Sequence, residues 1–437
     1  METLTDPSRA GGGDPTPRQS LLWAWAAQRK MRELFLVLAG QGIQSAANFL
    51  TGAAIGRFTS VSALGKYALG MSIFFVVASL ADSLVATPFT YLVISRPSFQ
   101  AQRAAFGTAL LATLGLALLG GLASGAASVF LPELASLLPA LPCALVTSLA
   151  RELIRRRHYV YGEPARALLS DIVTVIIQFA IMIGWLIETH RFDASAAFWA
   201  VACACGVAAV LGLLDLRGHI RMRLRLLLPY GDRFVRYGQW LAMGGLCQML
   251  ALQSFSWFLF LTSGARITGA FAACVAISNL PNPLLIGLTN YARPALMRVY
   301  TVRSWPSLAA RTAQLAGLFV APIIVFALGI SVAGGRALTL IYGPDLLWAR
   351  GALIWTSIAL IAVAIAAPLQ LAMLAINKPR AVLYLHIGEL TAAYLIALPL
   401  IVLFGLQGAA IGYFTTMAMG TAVLLSLFIT ELRRRAA

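Results

Sequence analysis

Three acidic side chains stand inside apolar stretches of the sequence, where an ionisable group is costly. They are Asp82, Asp171 and Glu389, and His386 precedes Glu389 by one helical turn. At membrane depth such groups usually face a water-filled cavity or another polar group, and they often carry protons or ions. We therefore take Asp82, Asp171 and Glu389 as candidates for coupling an ion to a conformational cycle. Asp82 is predicted to lie near the membrane midplane and to face a central cavity.

Further polar side chains recur at helical spacing, so that each group shares one helix face. The groups are Gln41, Gln44, Asn48 and Thr51; Asp171, Thr174 and Gln178; and Ser79 with Asp82. Hydrogen bonds between helices are one explanation. The other is that these faces line a water-filled cavity, and the presence of several such stripes in the N-terminal half favours it. Gln41, Gln44, Asn48 and Asp82 are accordingly candidate substrate-binding residues.

The segment Asn279-Leu-Pro-Asn-Pro283 interrupts another apolar stretch. Two prolines so close together remove backbone donors and must break or kink the helix. Irregular backbone at membrane depth survives where it is buried in protein or lines a cavity. Asn279 and Asn282 therefore join the candidate cavity residues, with an inert kink as the alternative.

The elements that position these residues follow from composition. The chain has 437 residues, of which 60% are hydrophobic and 11% charged, whereas soluble domains are about half apolar and a quarter charged. The apolar runs have the length needed to cross a bilayer. We predict an all-α integral membrane protein with about twelve transmembrane helices. The predicted spans are 34–56, 67–94, 105–130, 132–150, 168–187, 194–214, 238–262, 267–290, 313–334, 351–376, 381–403 and 406–430.

The two halves of the chain resemble each other. Leu64-Gly65-Lys66-Tyr67-Ala68 enters the second span, and Thr268-Gly269-Ala270-Phe271-Ala272 enters the eighth. Two parallel-topology halves with a substrate site between them would give this pattern. The predicted organisation is a disordered polar tail plus interfacial helix (1–33), an N-terminal six-helix bundle with a basic cytosolic linker (34–236), a C-terminal six-helix bundle (237–430) and a basic cytosolic tail (431–437).

Charge predicts the orientation. Of the 33 Lys and Arg residues, six fall in the predicted outside loops and 27 in the inside segments. Cytosolic loops accumulate Lys and Arg, so both termini are predicted to be cytosolic. The net charge of +17 is explained by this bias, and nucleic acid is not an expected partner. The expected location is a bacterial cytoplasmic membrane.

Several classes of function are disfavoured. All five cysteines fall in apolar segments and predict neither a disulfide framework nor a metal site, and no cofactor is expected. The chain has no GxxxxGK[ST] motif and no room for an ATPase domain. The outside loops are too short for the catalytic carboxylates of membrane glycosyltransferases or polymerases. The sequence therefore favours a transporter over an enzyme.

The first span ends in Gly56-Arg57, and Gly65-Lys66-Tyr67-Ala68 follows. This junction resembles that of polysaccharide flippases of the multidrug/oligosaccharidyl-lipid/polysaccharide exporter superfamily. Three further motifs fit in the same order, and the resemblance extends from about residue 34 to 430. They are Pro294-Ala-Leu-Met-Arg298, Ile341-Tyr342-Gly343-Pro344-Asp345 and Phe404-Gly-Leu-Gln-Gly-Ala-Ala410.

The resemblance implies two six-helix bundles around a central cavity. It also implies alternating-access flipping of a polyprenyl-pyrophosphate-linked glycan from the inner to the outer leaflet, for exopolysaccharide, capsule or O-antigen (lipopolysaccharide) biosynthesis. Membrane lipids, a glycan polymerase and export proteins would be partners. It also implies that Arg57 is a cation at the cavity mouth. Such flippases tend to have several cavity cations, whereas Arg57, Lys66, Arg266 and Arg293 lie near predicted span ends. Either Arg57 and Arg293 bind the phosphate at the mouths of the cavity, or the substrate is less anionic than a pyrophosphate-linked glycan.

Three alternatives have different sequence signatures. A cation-coupled drug or metabolite antiporter of the same superfamily often has an acid in its first span, where this chain has Gln41, Gln44 and Asn48. A major-facilitator transporter would have a Gly…Asp-Arg…Gly-Arg-Arg loop in place of the segment 95–103. The third alternative, a membrane enzyme, is disfavoured by the loop lengths. The antiporter is the main alternative.

Overall fold

The computed structural model describes residues 17–94, 99–190, 192–219, 227–302 and 305–436 of the chain. Almost all of these residues are helical, and this part of the chain contains no strand. The helices form two lobes, as the hydropathy pattern predicts. Residues 1–16, which belong to the predicted disordered tail, lie outside the described residues. The predicted interfacial segment is the beginning of the first long helix.

The first lobe is built from the N-terminal half of the chain. Its helix α2 passes into α3 through a π-helical turn, Asp82–Ala86, and a π-helical turn often marks a functional position. The helices are α1 (Pro17–Phe58), α2 (Val61–Ala81), α3 (Thr87–Ile94), α4 (Phe99–Phe130), α5 (Pro132–Ala135), α6 (Ala140–Val160), α7 (Pro164–Thr189) and α8 (Ala194–Asp215).

The second lobe is built from the C-terminal half. A π-helical turn, Ala393–Ala397, joins two of its helices. Two helices of this lobe contain a sharp break at a glycine with positive φ, at Gly264 (φ 81°) and Gly405 (φ 55°), a conformation that side chains disfavour. The helices are α9 (Leu227–Ser278), α10 (Asn282–Val302), α11 (Trp305–Tyr342), α12 (Arg350–Ala375), α13 (Arg380–Ala392) and α14 (Leu398–Ala436).

Nine helical segments of the described residues are long and apolar enough to cross a membrane. Helix α9 contributes one segment to this number and α13 with α14 contributes another, although the chain turns at Gly264 and Gly405. Helix α6 is excluded because its second half carries several arginines. The number of twelve crossings stays a prediction.

The predicted fourth span, 132–150, differs from the helix that forms there. Only the short helix α5 and a turn occupy residues 132–139, and α6 runs from Ala140 to Val160. The sequence Arg151-Glu-Leu-Ile-Arg-Arg-Arg157 was expected to be a cytosolic loop because of its charge. It is helical instead, and Asp171 on α7 and Gln44 on α1 pair with Arg151.

The two lobes meet along α2 and α9, where glycines allow the backbones to approach closely. A β-carbon on Gly65 would collide with the carbonyl oxygen of Ala265, and one on Gly269 would collide with that of Val61. Further along α2, a β-carbon on Gly245 would lie 2.8 Å from Oγ of Ser79. Gly65 and Gly269 are the equivalent glycines of the internal repeat, so the repeat packs against itself.

The orientation can be tested with reporter fusions. We expect a fluorescent reporter that folds only in the cytosol to be active when fused to the C-terminus. A fusion truncated after His190, at the far end of α7, should instead activate an alkaline phosphatase reporter. A C-terminal fusion with phosphatase activity alone would contradict the predicted cytosolic C-terminus.

Candidate functional site

A buried ion pair joins three helices of the first lobe. Nη1 of Arg151 on α6 donates to Oδ1 of Asp171 on α7 at 2.8 Å, and Nη2 donates to Oε1 of Gln44 on α1 at 2.8 Å. Arg151 and Asp171 are almost completely buried. A desolvated charge needs such partners, although Nε of Arg151 has no hydrogen-bond partner among the described residues. This arrangement fixes α1, α6 and α7 relative to one another.

The same acid has a second guanidinium nearby. Nη1 of Arg155 lies 3.5 Å from Oδ2 of Asp171, and Arg155 also forms a two-pronged pair with Glu152, at 2.8 and 2.9 Å. These two arginines hold Asp171 inside the lobe. Arg151 is thus a buried cation in addition to the basic residues that the sequence places near span ends.

Asp82 stands at the first residue of the π-helical turn after α2. It forms an ion pair with Nη2 of Arg156 on α6, and Oγ1 of Thr87 donates to its other oxygen at 3.3 Å. The side chain of Asp82 is 48% exposed and that of Arg156 is 34% exposed. Ser83, the next residue, packs against Gly238 of α9. The pair therefore lies beside the seam between the lobes and remains open to solvent.

Arg57, at the end of α1, connects the two lobes at the opposite end of the seam. Its Nη1 donates to the backbone oxygen of Thr339 on α11 at 3.1 Å. It lines a cavity of about 460 Å³ together with apolar side chains from both lobes. The cavity is lined by Leu50, Ala53, Ala54, Arg57, Phe58, Phe179, Met182, Ile183, Leu186, Phe192, Leu340 and Ile341. Two motifs of the family resemblance, Gly56-Arg57 and Ile341-Tyr342-Gly343, thus come into contact.

The remaining predicted cavity residues do not form one constellation. The chain leaves α9 at Ser278 and re-enters a helix at Asn282, so the predicted break is present, and the Asn282 amide donates to Oδ1 of Asn279 at 3.2 Å. Gln41 is half-buried, whereas Asn48 and Arg293 are exposed. Whether these residues contact substrate stays a prediction.

Glu389 belongs to a separate pair in the second lobe. Its Oε2 lies 2.9 Å from Nδ1 of His386, one turn earlier on α13, and both side chains are buried. The first lobe has a similar pair where α6 turns into α7, and there Nδ1 of the buried His158 lies 3.0 Å from Oε2 of the partly exposed Glu163. Burial raises the pKa of Glu163, but His158, Arg166 and Arg157 outweigh it and hold that pKa below its usual value.

The sequence reading missed Arg151, Arg155 and Arg156. A signal was present, because Arg151 and Arg155 are four residues apart and therefore share a helix face. That face meets the stripe that contains Asp171 and Thr174. Hydropathy alone assigned the arginines to a loop.

Solved structures share this arrangement of helices. An inward-facing multidrug resistance MATE family transporter of the MOP superfamily aligns over 90% of this chain and 96% of its own, at 13% identity, with a TM-score of 0.77. An outward-facing MATE structure covers 94% and 96% at 14% identity, with a TM-score of 0.65. A MOP superfamily transporter from Pyrococcus furiosus, described by a reversed polarity of its binding pocket, covers 94% and 96% at 14% identity, with a TM-score of 0.63.

No protein-family model matches the chain, and no curated protein sequence matches it. The structural likeness therefore identifies the fold and not the substrate. Among these structures the conformation of the chain is more similar to the inward-facing one than to the outward-facing one. The chain has the two-lobe fold of the alternating-access transporters of the MOP superfamily.

Proposed function

We propose that this chain flips a polyprenyl-pyrophosphate-linked glycan from the inner to the outer leaflet of a bacterial cytoplasmic membrane by alternating access. The observation that carries the proposal is the cavity beside Arg57. Its walls are apolar and come from both lobes, and among the described residues Arg57 is the one charged residue that lines it. This combination matches a substrate that joins an isoprenoid chain to an anionic head.

The side chain of Arg57 suits this head group. A guanidinium presents paired donors that match the geometry of phosphate oxygens. In the structure Arg57 is exposed and donates to the backbone oxygen of Thr339 through Nη1. No ion pair to Arg57 is present among the described residues. Its charge is thus available to an anion.

A second cation lies near the other end of the seam. Arg156 is partly exposed and forms an ion pair with Asp82. A pyrophosphate that displaced Asp82 would find a guanidinium near the end where both termini are predicted to lie. Arg156 would bind the head group in the inward-facing state. Arg57, at the far end of the seam, would bind it in the outward-facing state.

The test uses proteoliposomes that contain a fluorescent polyprenyl-pyrophosphate sugar and a membrane-impermeant quencher. We expect Arg57→Ala to reduce the flipping rate about tenfold or more, because the variant loses a charge-assisted contact with the head group. Arg57→Lys should flip the lipid at an intermediate rate, because lysine retains the positive charge but lacks the paired donors of the guanidinium.

The matched control is Arg350. Its Nη2 also donates to a backbone oxygen of α11, that of Ser331, at 2.8 Å, but it does not line the cavity. Arg350→Ala should therefore flip the lipid at nearly the wild-type rate. Equal rates for Arg57→Ala, Arg350→Ala and wild type would exclude the proposed contact.

The alternative is a cation-coupled drug or metabolite antiporter, which the buried Glu389–His386 pair favours. The same proteoliposomes distinguish the two when a cationic dye and a proton gradient replace the lipid. Transport of the dye, without movement of the pyrophosphate lipid, would support the antiporter.

A further inference from the structure

Arg57 of the first lobe contacts the end of a helix that belongs to the second lobe. Its Nη1 donates to the backbone oxygen of Thr339 at 3.1 Å, in the last turn of α11, which ends at Tyr342. The carboxyl end of a helix carries a partial negative charge, and a basic side chain there satisfies its carbonyl groups. Arg57 therefore caps a helix of the opposite lobe. We call this end of the seam the outer end, because both termini are predicted to lie at the other.

Two glycines allow this contact. Gly343, directly after α11, has a φ of 103°, a conformation that favours glycine, and a β-carbon there would lie 3.3 Å from Nη1 of Arg57. Gly56 faces the ring of Tyr342, where a β-carbon would lie 2.6 Å from Cδ1. The backbones of the two lobes approach closely at the outer end because both positions lack a side chain.

The closed outer end has one unfavourable feature. The hydroxyl group of Tyr342 is buried and has no hydrogen-bond partner among the described residues. A buried hydroxyl without a partner costs free energy, and water that enters between the lobes would supply the partner. The hydroxyl of Tyr342 thus favours an open outer end, whereas the hydrogen bond from Arg57 favours a closed one.

The anionic head group of the proposed substrate would compete with α11 for Arg57. The backbone oxygen of Thr339 carries only a partial charge, whereas a pyrophosphate carries full charges and accepts two parallel hydrogen bonds from a guanidinium. The apolar walls of the cavity strengthen this preference, because the attraction between charges grows as the local dielectric constant falls. A ligand shifts an equilibrium towards the state that it binds more tightly. The head group should therefore favour the state in which Arg57 has left Thr339.

We propose that the hydrogen bond from Arg57 to Thr339 holds the outer end closed, and that the anionic head group opens it by binding Arg57 in place of α11. The proposal rests on the proposed flippase function and deepens it, since it names the event that links substrate binding to the conformational change. When the head group has left, Arg57 returns to α11 and the outer end closes again.

The first experiment measures the closed contact without any substrate. Pulsed electron paramagnetic resonance gives the distance between spin labels at two exposed positions near the outer end, Glu188 of α7 and Arg336 of α11, in a background without the five native cysteines. We expect Arg57→Ala to raise the ratio of long to short distances about tenfold, because it removes a charge-assisted hydrogen bond. In that variant, an additional Tyr342→Phe should lower the ratio again, because it removes the unpartnered hydroxyl. An Arg57→Ala protein with the wild-type distances overturns the proposal.

Two matched controls separate the contact from general damage. Nη2 of Arg350 donates to the backbone oxygen of Ser331 at 2.8 Å, but this contact lies within the second lobe, so Arg350→Ala should keep the wild-type distances. Gly343→Ala strains the backbone beneath Arg57 and should raise the ratio as Arg57→Ala does. Gly162→Ala is its control, because Gly162 also has a positive φ, of 72°, and a β-carbon there would have no atom within 4 Å.

The second experiment adds lipid to the labelled protein. A polyprenyl-pyrophosphate sugar should lengthen the wild-type distance, whereas polyprenol, which has the same chain without the charge, should leave it unchanged. In Arg57→Ala, where the hydrogen bond is already absent, neither lipid should change the distance. A wild-type distance that responds equally to both lipids, or to neither, overturns the proposal.

The flipping rate of the same samples distinguishes the two proposals. If wild type flips the lipid while the distance ignores the head group, the competition for Arg57 is wrong and the flippase function stands. If wild type does not flip the lipid, the flippase function is wrong. The experiment without substrate then still decides whether Arg57 holds the outer end closed.

Discussion

Replacing Gly65 with valine is expected to lower the transport rate strongly and to shift the chain away from the conformation in which α2 and α9 are in close contact. A β-carbon at this position collides with the backbone of Ala265, and it would lie 3.0 Å from the amide nitrogen of Gly269. Backbone atoms cannot move aside as a flexible side chain can. The helices α2 and α9 must therefore separate at this end of the seam.

The size of the effect follows from the cost of overpacking. An added methyl group in a close-packed contact costs about 1–3 kcal/mol, which is a factor of roughly 5 to 150 in a two-state equilibrium. If the lobes open near Gly65, they close at the other end. Pulsed electron paramagnetic resonance would measure the distance between spin labels at two exposed positions, Gln100 and Arg380. This distance should then become shorter, and the flipping rate should fall by the same factor or more.

Gly115 is the control for this substitution. It lies within α4, and a β-carbon there would have no atom within 4 Å. Gly115→Val should keep both the wild-type distance and the wild-type rate. Gly65→Ala adds a single methyl group and is the variant to use if the valine variant does not fold. A Gly65→Ala protein with the wild-type distance and flipping rate would contradict the closed seam.

The second large effect is expected at the buried pair of the first lobe. Removal of one partner from a buried ion pair costs about 3–5 kcal/mol. Asp171→Leu should destabilise the protein more than Arg151→Met. The reason is that Asp171 keeps Arg155 when Arg151 is removed, whereas the described residues offer Arg151 no other acid within salt-bridge distance when Asp171 is removed.

The thermal midpoint in detergent measures this asymmetry. The double variant Arg151→Met with Asp171→Leu should recover most of the loss, because it leaves no unpaired charge. Asp232→Ala is the control, since it breaks an exposed pair with Arg236 and should cost less than about 1 kcal/mol. Equal midpoints for Asp171→Leu and Asp232→Ala would show that burial of the pair does not matter for stability.

The sequence was sufficient for the features that depend on local chemistry. Apolar runs predicted the long helices, and the two prolines in Asn279–Pro283 predicted the break between α9 and α10. The repeat predicted equivalent glycines in the two halves. The repeat could not predict that these glycines lie in one contact, because the approach of Gly65 to Ala265 depends on how two separate helices cross.

The candidate site was less predictable for the same reason. The partners of Asp171 are separated from it by 16 and 20 residues, and Gln44 lies 107 residues before Arg151. A hydropathy window contains no information on such neutralisation, so the arginines of α6 were read as a loop. Asp82 was expected to face a central cavity and to couple an ion to the conformational cycle. In this conformation it pairs with Arg156 of its own lobe, and its part in transport stays a prediction.

The Arg151–Asp171 contact also bears on how the chain enters the membrane during synthesis. An arginine at the centre of a lone helix opposes insertion by about 2.5–3.5 kcal/mol, and α6 falls short of the apolar character of its neighbours. A turn of three residues joins α6 to α7, which supplies the neutralising carboxylate. Helix α6 should therefore leave the translocon only when α7 has emerged, so that the two helices enter the lipid together as a hairpin.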